Sequence, residues 1–149
     1  MNISLELLKK LREETSAGVS DCRQALEDAG GDYEKAKKIL SKRGLEKAAK
    51  KEGKETSQGL IESYVHNGRV GVLVELRCET DFVVRTDEFK HLAHELALQV
   101  ASMNPKNVDE LLKETYIRDA SMTIAELVKR TVAKVGENIE VKKFVRYEI

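Results

Sequence analysis

The side chains that could do chemistry in this sequence are few and scattered. Only three His and two Cys occur among 149 residues, and neither cysteine has a second Cys or a His at metal-ligand spacing. His91 and His94 are three residues apart, but no third ligand type accompanies them, so we interpret both as solvent-side residues of a helix. Cys22 and Cys78 each lie on an apolar face and are expected to be buried, reduced thiols.

The sequence also lacks the common catalytic motifs. It has no Walker-type Gly-rich loop, no GxGxxG after a strand, no GxSxG and no HExxH. Aspartates and glutamates occur throughout the chain, which leaves acid/base catalysis by a carboxylate pair open, but nothing singles out one pair. A binding protein is therefore favoured over an enzyme, and no metal or cofactor is expected.

Two adjacent side chains are placed for binding rather than catalysis. Residues 70–78 alternate apolar and polar side chains at period two, which predicts a half-buried strand. Thr80-Asp81-Phe82-Val83 follows this strand. A phenylalanine beside an aspartate, with further charge on both sides, is poorly placed to belong wholly to the core. We expect it to be presented to a partner; the alternative is that Phe82 only packs the strand against the next helix.

The composition of the chain limits the classes of protein to which it can belong. Lys plus Arg and Asp plus Glu number 26 each, so no global field draws the chain to nucleic acid or to a membrane. Charged residues make up 35% and aromatic residues only 5%, which is typical of a helix-rich protein with a Leu, Val and Ala core. No apolar stretch approaches the roughly 20 residues that span a bilayer, so we expect no membrane contact and a protein that is cytoplasmic or has lost a targeting segment.

Residues 1–45 predict a three-helix module, because three short apolar stripes at helical spacing are separated by breaks. Ser20 is expected to cap the second helix and Asp32 the third, and Gly44 is expected to stop the third. Residues 46–58 predict a Lys-rich helical linker. Its positive charges could contact phosphates, but Ala and Glu interrupt them, so a solvated helix face is favoured over a nucleic-acid site. A third option is contact with an acidic protein partner.

Residues 59–149 predict an α+β core domain. Asn67-Gly68 between two strand patterns is the dipeptide of a type I′ hairpin, and Thr86 is expected to cap the longest helix. Two capping boxes, Asn107 to Glu110 and Thr123 to Glu126, each start a further helix. The final strand, residues 139–149, is expected to place five apolar side chains on one face, namely Ile139, Val141, Val145, Tyr147 and Ile149. Lys143 and Phe144 break this pattern.

The resulting fold class is an N-terminal three-helix module, a helical linker, and a three-stranded antiparallel sheet with helices covering one face. Such a sheet is thin and has two edges, which proteins usually cover or pair. We therefore expect self-association through the sheet domain.

Several stretches together resemble the elongation factor Ts family, whose members release GDP from elongation factor Tu. The matching stretches occur in family order over nearly the whole chain; they are residues 11–22 with Ala25-Leu26, Lys47-Ala48-Ala49-Lys50-Lys51, residues 75–83 ending in Thr80-Asp81-Phe82-Val83, Lys134-Val135-Gly136-Glu137-Asn138-Ile139, and Val145-Arg146-Tyr147-Glu148. Any one of them is weak evidence, whereas the ordered set is highly specific.

The resemblance implies a function and a site. Residues 1 to about 45 would be a ubiquitin-associated-like module that docks on the nucleotide-binding domain of elongation factor Tu, in its GDP-bound and nucleotide-free forms. The sheet domain would insert Asp81-Phe82 beside the nucleotide and disturb the segments that hold Mg²⁺ and the phosphates. No bond would be made or broken, so the protein would not be an enzyme.

The resemblance also implies further contacts with the partner, carried over by position. Thr80 and Val83 belong to the inserted segment, and the remaining candidates lie in the N-terminal module, the linker and the hairpin; they are Arg12, Val19, Ser20, Arg23, Lys51 and His66. Family members often carry two methionines where this chain has Val19-Ser20, and His66 resembles a hairpin histidine of the long members.

The single core resembles the short members of the family, which pair as homodimers to rebuild the doubled core of long members. This chain is shorter still, because only a brief segment joins the helix near Leu111 to the one near Leu127. Some short members have a Cys at the position of Val145 that links the dimer, so a covalent dimer is not expected here.

Two other functions compete with this one. The first is a ubiquitin or peptide adaptor, given the general shape of the N-terminal module, although the Ala17-Gly18-Val19 loop lacks an aromatic residue and the second domain is large. The second is a basic RNA-binding protein, which the zero net charge disfavours.

Overall fold

The computed structural model describes residues 2–149 and divides the chain into two compact units, Met1–Lys50 and Lys51–Ile149. The fold is α+β, with helices first and then a three-stranded antiparallel sheet packed against helices, as the sequence predicts. None of the helices in residues 2–149 combines the length and apolar character needed to cross a membrane.

The first unit is built from three helices around a small aliphatic core. The helices are α1 (Leu5–Thr15), α2 (Val19–Asp28) and α3 (Tyr33–Ala49). Seven buried side chains form the core, namely Leu11, Cys22, Ala25, Leu26, Ala29, Ala36 and Leu40. The Asp32 side chain accepts a hydrogen bond from the Lys35 backbone N–H and caps α3, which confirms the predicted cap.

Two predicted features of this unit are wrong. Ser20 does not cap α2, because the helix begins at Val19 and Gly18 occupies the N-cap position. Gly44 does not stop α3, which continues to Ala49 and so includes the first residues of the expected linker. Side chains on either side of Gly44 tie the helix to α2: Arg43 pairs with Asp28, and Lys47 lies 3.3 Å from Asp21. These contacts offset the roughly 1 kcal/mol that a glycine costs inside a helix.

The second unit contains a main sheet, a small hairpin and four helices. In chain order they are β1 (Gln58–His66), β2 (Val70–Cys78), α4 (Asp81–Val84), α5 (Asp87–Met103), α6 (Val108–Lys113), β3 (Thr115–Tyr116), β4 (Asp119–Thr123), α7 (Ile124–Val135) and β5 (Ile139–Glu148). The sheet has the order β1-β2-β5 with both pairings antiparallel, so β2 is the central strand.

The hairpin and the N-caps of this unit fold as predicted. Asn67 and Gly68 both have positive φ, 51° and 64°, and the Arg69 N–H donates to the His66 carbonyl to close the hairpin. Thr86, Asn107 and Thr123 each accept a hydrogen bond from the backbone N–H three residues on, so all three predicted N-caps are confirmed.

One side of the sheet packs against the helices to form the core of this unit. Val72, Val74, Leu76 and Cys78 of β2 are all buried on that side. The helices contribute the opposing buried side chains, which include Phe89, Leu92, Leu96 and Val100 of α5, Leu111 of α6, and Ile124, Val128 and Val132 of α7. The helices cover this one face, as expected.

The predicted pattern of β5 is wrong over its second half. Glu75 pairs with Lys143 but Leu76 pairs with Val141, so a β-bulge leaves Lys142 without a partner. The extra residue reverses the faces: Ile139 and Val141 are buried, whereas Val145, Tyr147 and Ile149 are exposed.

The sequence prediction missed the small β3–β4 hairpin between α6 and α7. Gln99 of α5 is completely buried and holds it through its amide. Its Nε2 donates to the Thr115 carbonyl at 3.0 Å, and its Oε1 accepts from the Ile117 N–H at 3.0 Å. Because one strand has only two residues, this hairpin depends on α5 rather than on a local sequence signal.

Candidate partner-binding site

The candidate site begins where the central strand of the sheet ends. β2 is hydrogen-bonded on both sides over its whole length, and Cys78 at its end is completely buried. Glu79 and Thr80 then lead into the four-residue helix α4. A segment that follows a doubly paired strand starts from a fixed point, which suits a rigid binding element.

Neighbouring side chains of α4 have opposite environments. Val83 is only 7% exposed and anchors the helix in the core, while Phe82 is 74% exposed. Exposure of this degree means that Phe82 does not act as a core contact between β2 and α5, so the alternative interpretation from the sequence is wrong. The burial of Val83 leaves it little surface for a partner.

The Asp81 carboxylate is also accessible. Its Oδ2 lies 3.2 Å from Nη2 of Arg85, one turn further along, and both side chains are more than half exposed. Exposed pairs of this kind contribute about 0–1 kcal/mol, so a partner can break the pair at little cost. α4 therefore presents an apolar ring and a negative charge side by side.

Thr80 is held by a residue that the sequence analysis did not single out as functional. The Glu137 carboxylate accepts the Thr80 backbone N–H at 2.9 Å and the Thr80 hydroxyl at 2.6 Å. In the opposite direction, Glu79 accepts the Asn138 backbone N–H at 2.6 Å. Glu137 lies in one of the stretches that carry the family resemblance, which is the one signal that could have found it.

Burial keeps the cysteine at the end of β2 from acting as a nucleophile. Desolvation, and next the negative charge of Glu137, raise the pKa of the Cys78 thiol to about 11. Among residues 2–149 no three His, Cys, Asp or Glu side chains come together in a way that could hold a metal ion. His91 and His94 lie on the exposed side of α5, as predicted.

His66 lies at the other end of β2 from Asp81 and Phe82. The nine residues of β2 span roughly 30 Å, so the structure does not bring the hairpin histidine together with α4. The Tyr64 hydroxyl is 2.8 Å from its Nδ1, and the Asn67 side-chain nitrogen is 3.2 Å from its Nε2. His66 is exposed but fixed in orientation by its neighbours.

The candidates in the first unit lie on two helices. Val19, Ser20 and Arg23 are exposed in the first turns of α2, and their spacing of three and four residues puts them on one side of that helix. Arg12 is exposed on α1. In the second unit, Lys51 is half-buried in a turn, where its carbonyl accepts from the Lys54 N–H.

Comparison with known proteins gives a consistent result. A family model described as elongation factor TS matches residues 79–149. Elongation factor Ts of Thermotoga petrophila is 45% identical over 193 residues, which cover all of this chain and 97% of that protein. The corresponding protein of Fervidobacterium nodosum is 41% identical over 195 residues, covering 100% and 99%, and that of Thermoanaerobacter sp. is 39% identical over 192, covering 98% and 94%.

These relatives are longer than the present chain. The chain has 149 residues against 193 positions in the first of these alignments, so 44 of those positions have no residue here. This difference is expected from the sequence, because only a brief segment joins the helix near Leu111 to the one near Leu127.

Proposed function

The chain belongs to the elongation factor Ts family, and we propose that it promotes release of GDP from elongation factor Tu. Membership gives it a role in translation elongation. The proposal adds the mechanism: the protein binds elongation factor Tu in its GDP-bound and nucleotide-free forms and directs Asp81-Phe82 to the nucleotide site. This is exchange of a bound ligand, without bond chemistry of its own.

The exposure of Phe82 is the observation that carries the proposal. A large apolar ring that is 74% exposed makes little contact within the chain. Its neighbour Val83 is buried, so the ring is exposed at a fixed place. Such a ring gains most when it enters an apolar gap in a partner. The accessible carboxylate of Asp81 adds negative charge at the same point.

The energetic logic is that of linkage. A protein that binds the nucleotide-free state of its partner better than the GDP state must lower the affinity of that partner for GDP by the same factor. Phe82 can make its apolar contact only when segments of the partner move apart. Asp81 places a negative charge near the groups of the partner that otherwise bind the metal and the phosphates.

We assign docking to the first unit. Val19, Ser20 and Arg23 on α2, together with Arg12 on α1, are exposed and would contact the nucleotide-binding domain of elongation factor Tu. In the second unit Thr80 belongs to the inserted segment, and Lys51 and His66 are proposed as further contacts.

We also propose that two copies associate through the open face of the main sheet. Six apolar side chains on this face are exposed, namely Ile61, Val65, Leu73, Val145, Tyr147 and Ile149. Leu73 is directly opposite Val145 in the register, and Tyr147 is opposite Gly71, so the side chains form a patch across the three strands. A contiguous exposed apolar surface of this kind marks an interaction site. A second sheet of the same shape can cover it face to face.

A GDP-release measurement tests the proposed function. Elongation factor Tu loaded with fluorescent GDP is mixed with excess unlabelled GDP and substoichiometric amounts of the protein, and loss of the fluorescent nucleotide is followed by stopped flow. Release is expected to accelerate in proportion to the protein added, with each molecule acting many times. Release rates that do not change with added protein would overturn the proposal.

A further inference from the structure

All three polar groups of Thr80 that can form hydrogen bonds are engaged. Glu137 accepts from both its backbone N–H and its hydroxyl, and the Cys78 thiol donates to its carbonyl with a sulfur–oxygen distance of 3.2 Å. Thr80 is the N-cap residue of α4, yet its side chain makes no capping hydrogen bond to the helix. The hydroxyl is directed instead to Glu137, which is 57 residues away along the chain.

This contact decides how α4 is held. A helix of four residues cannot hold its own geometry, because forming a first turn is unfavourable without outside contacts. The fixed points are Val83, which is buried, and Thr80, which is clamped. Asp81 and Phe82 lie between these two points, so their direction depends on both.

Glu137 is itself placed by defined backbone geometry. α7 ends at Gly136 in the left-handed region, with φ 75°, and the Gly136 N–H donates to the Val132 carbonyl. The chain then turns directly into β5, where Ile139 pairs with Cys78. The bond from the Asn138 N–H to Glu79 joins the same two segments a second time.

We infer that Glu137 is a positioning residue for nucleotide exchange: it clamps Thr80 and so fixes the direction in which Asp81 and Phe82 leave the sheet. This inference rests on the proposed exchange function. Hydrogen bonds to a carboxylate are stronger than neutral ones, and two of them on one residue fix orientation as well as position. The Glu137 side chain acts through Thr80 and does not touch the nucleotide.

The test compares three substitutions at this position. Glu137→Ala removes both acceptors, and the maximal rate of GDP release is expected to fall at least about tenfold, because the loss of a single charge-assisted hydrogen bond is already worth roughly that factor. The concentration of protein giving half-maximal release should change less than about threefold, since the docking surface of the first unit is intact. Glu137→Gln should restore most of the rate, because its amide can accept the Thr80 N–H and donate to the Thr80 hydroxyl oxygen.

Glu137→Asp separates geometry from charge. It keeps the carboxylate but is one methylene shorter, so it cannot reach both Thr80 groups, and it should be slower than Glu137→Gln. Glu140→Ala is the matched control, because it removes a nearby carboxylate that accepts from Thr56 instead. A wild-type rate for Glu137→Ala, or a fast Asp variant with a slow Gln variant, would overturn the inference.

A measurement on the free protein keeps this inference separate from the proposed function. Hydrogen exchange at the Thr80 amide should be faster in Glu137→Ala than in the wild type or in Glu140→Ala, with no partner present. Unchanged protection at Thr80 contradicts the clamp even if exchange activity is found. Should Glu137→Ala fail to fold, the Asp and Gln variants carry both measurements.

Discussion

At the scale of single residues, the main contrast is between Phe82 and Val83. Adjacent positions in a short helix point to different sides, and here one side chain is exposed and the other is buried. Val83 secures the helix, so Phe82 is held in the open at a defined place. Phe82, the proposed binding residue, can therefore be changed without disturbing the core that supports it.

Replacing Phe82 with alanine should separate binding from stability. We expect Phe82→Ala to lower the rate of GDP release from elongation factor Tu at least tenfold, as for an aromatic residue at the centre of an interface. The free energy of unfolding should change by less than about 0.5 kcal/mol, because the ring is mostly in solvent. Stopped-flow release and urea unfolding measure the two effects.

The matched control is Ile117→Ala, which removes another exposed apolar side chain of the same unit. It should leave both GDP release and stability near the wild-type values. Equal release rates for Phe82→Ala and the wild type would remove Phe82 from the proposed mechanism.

Cys78 gives a prediction about alkaline pH. Burial raises the pKa of its thiol to about 11 in the folded chain, above the ordinary value of 9.0. A raised pKa means that the folded state holds the proton more tightly, so this contribution to stability is complete below pH 9 and is lost as the pH rises toward 11. Between pH 8 and pH 10 the loss is on the order of 1 kcal/mol.

Urea unfolding at several pH values checks this effect. Cys78→Ala should be less stable than the wild type at pH 8, and its stability should fall less steeply between pH 8 and pH 10. Parallel curves for the two proteins would show that the Cys78 thiol does not titrate as described.

At the scale of elements, the sequence predicts features that depend on neighbouring residues. The Asn67-Gly68 hairpin and the caps at Asp32 and Thr86 need only local backbone geometry and one short side chain. The exposure of Phe82 was foreseeable for a similar reason, since charged residues surround it.

Features set by contacts between distant residues were missed. The bulge in β5 turns Arg146 toward α5, where its guanidinium donates to the Ala101 carbonyl from two nitrogens. The β3–β4 hairpin depends on Gln99, and the clamp on Thr80 depends on Glu137. None of these pairings has a signature in the local sequence. The exposed pair Asp81-Phe82 was therefore predictable, whereas the contacts that hold it in place were not.

The end of α7 gives a prediction at this scale. Gly136→Ala should lower the free energy of unfolding by about 1 kcal/mol, because φ 75° is unfavourable for alanine although an added methyl group would meet no atom within 4 Å. Gly136→Asn is the control, since asparagine adopts the left-handed region more readily than alanine and its side chain also starts in open space. Similar urea midpoints for Gly136→Ala and Gly136→Asn would contradict this explanation.

At the scale of the whole molecule, the open face of the sheet is the main unexplained surface. The bulge in β5 puts Val145, Tyr147 and Ile149 there, although the sequence pattern predicts them on the same face as Ile139 and Val141. The bulge thus enlarges an exposed apolar patch, which costs solubility unless another surface covers it. A twofold pair of sheets covers it with the same residues from each copy.

Leu73→Glu tests the proposed pairing. Leu73 is on the central strand, directly opposite Val145, so in a twofold dimer the substitution buries two carboxylates in an apolar interface. The wild type is expected to sediment at twice the chain mass of 16.8 kDa, and Leu73→Glu at the mass of one chain. Ile117→Glu adds the same charge to an exposed position outside this face and should remain a dimer.

Reducing agent should not change the wild-type mass, because Cys22 and Cys78 are buried and Val145 offers no thiol. A wild type that sediments as a single chain over a wide range of concentrations would contradict the pairing, and the patch would then need a different partner.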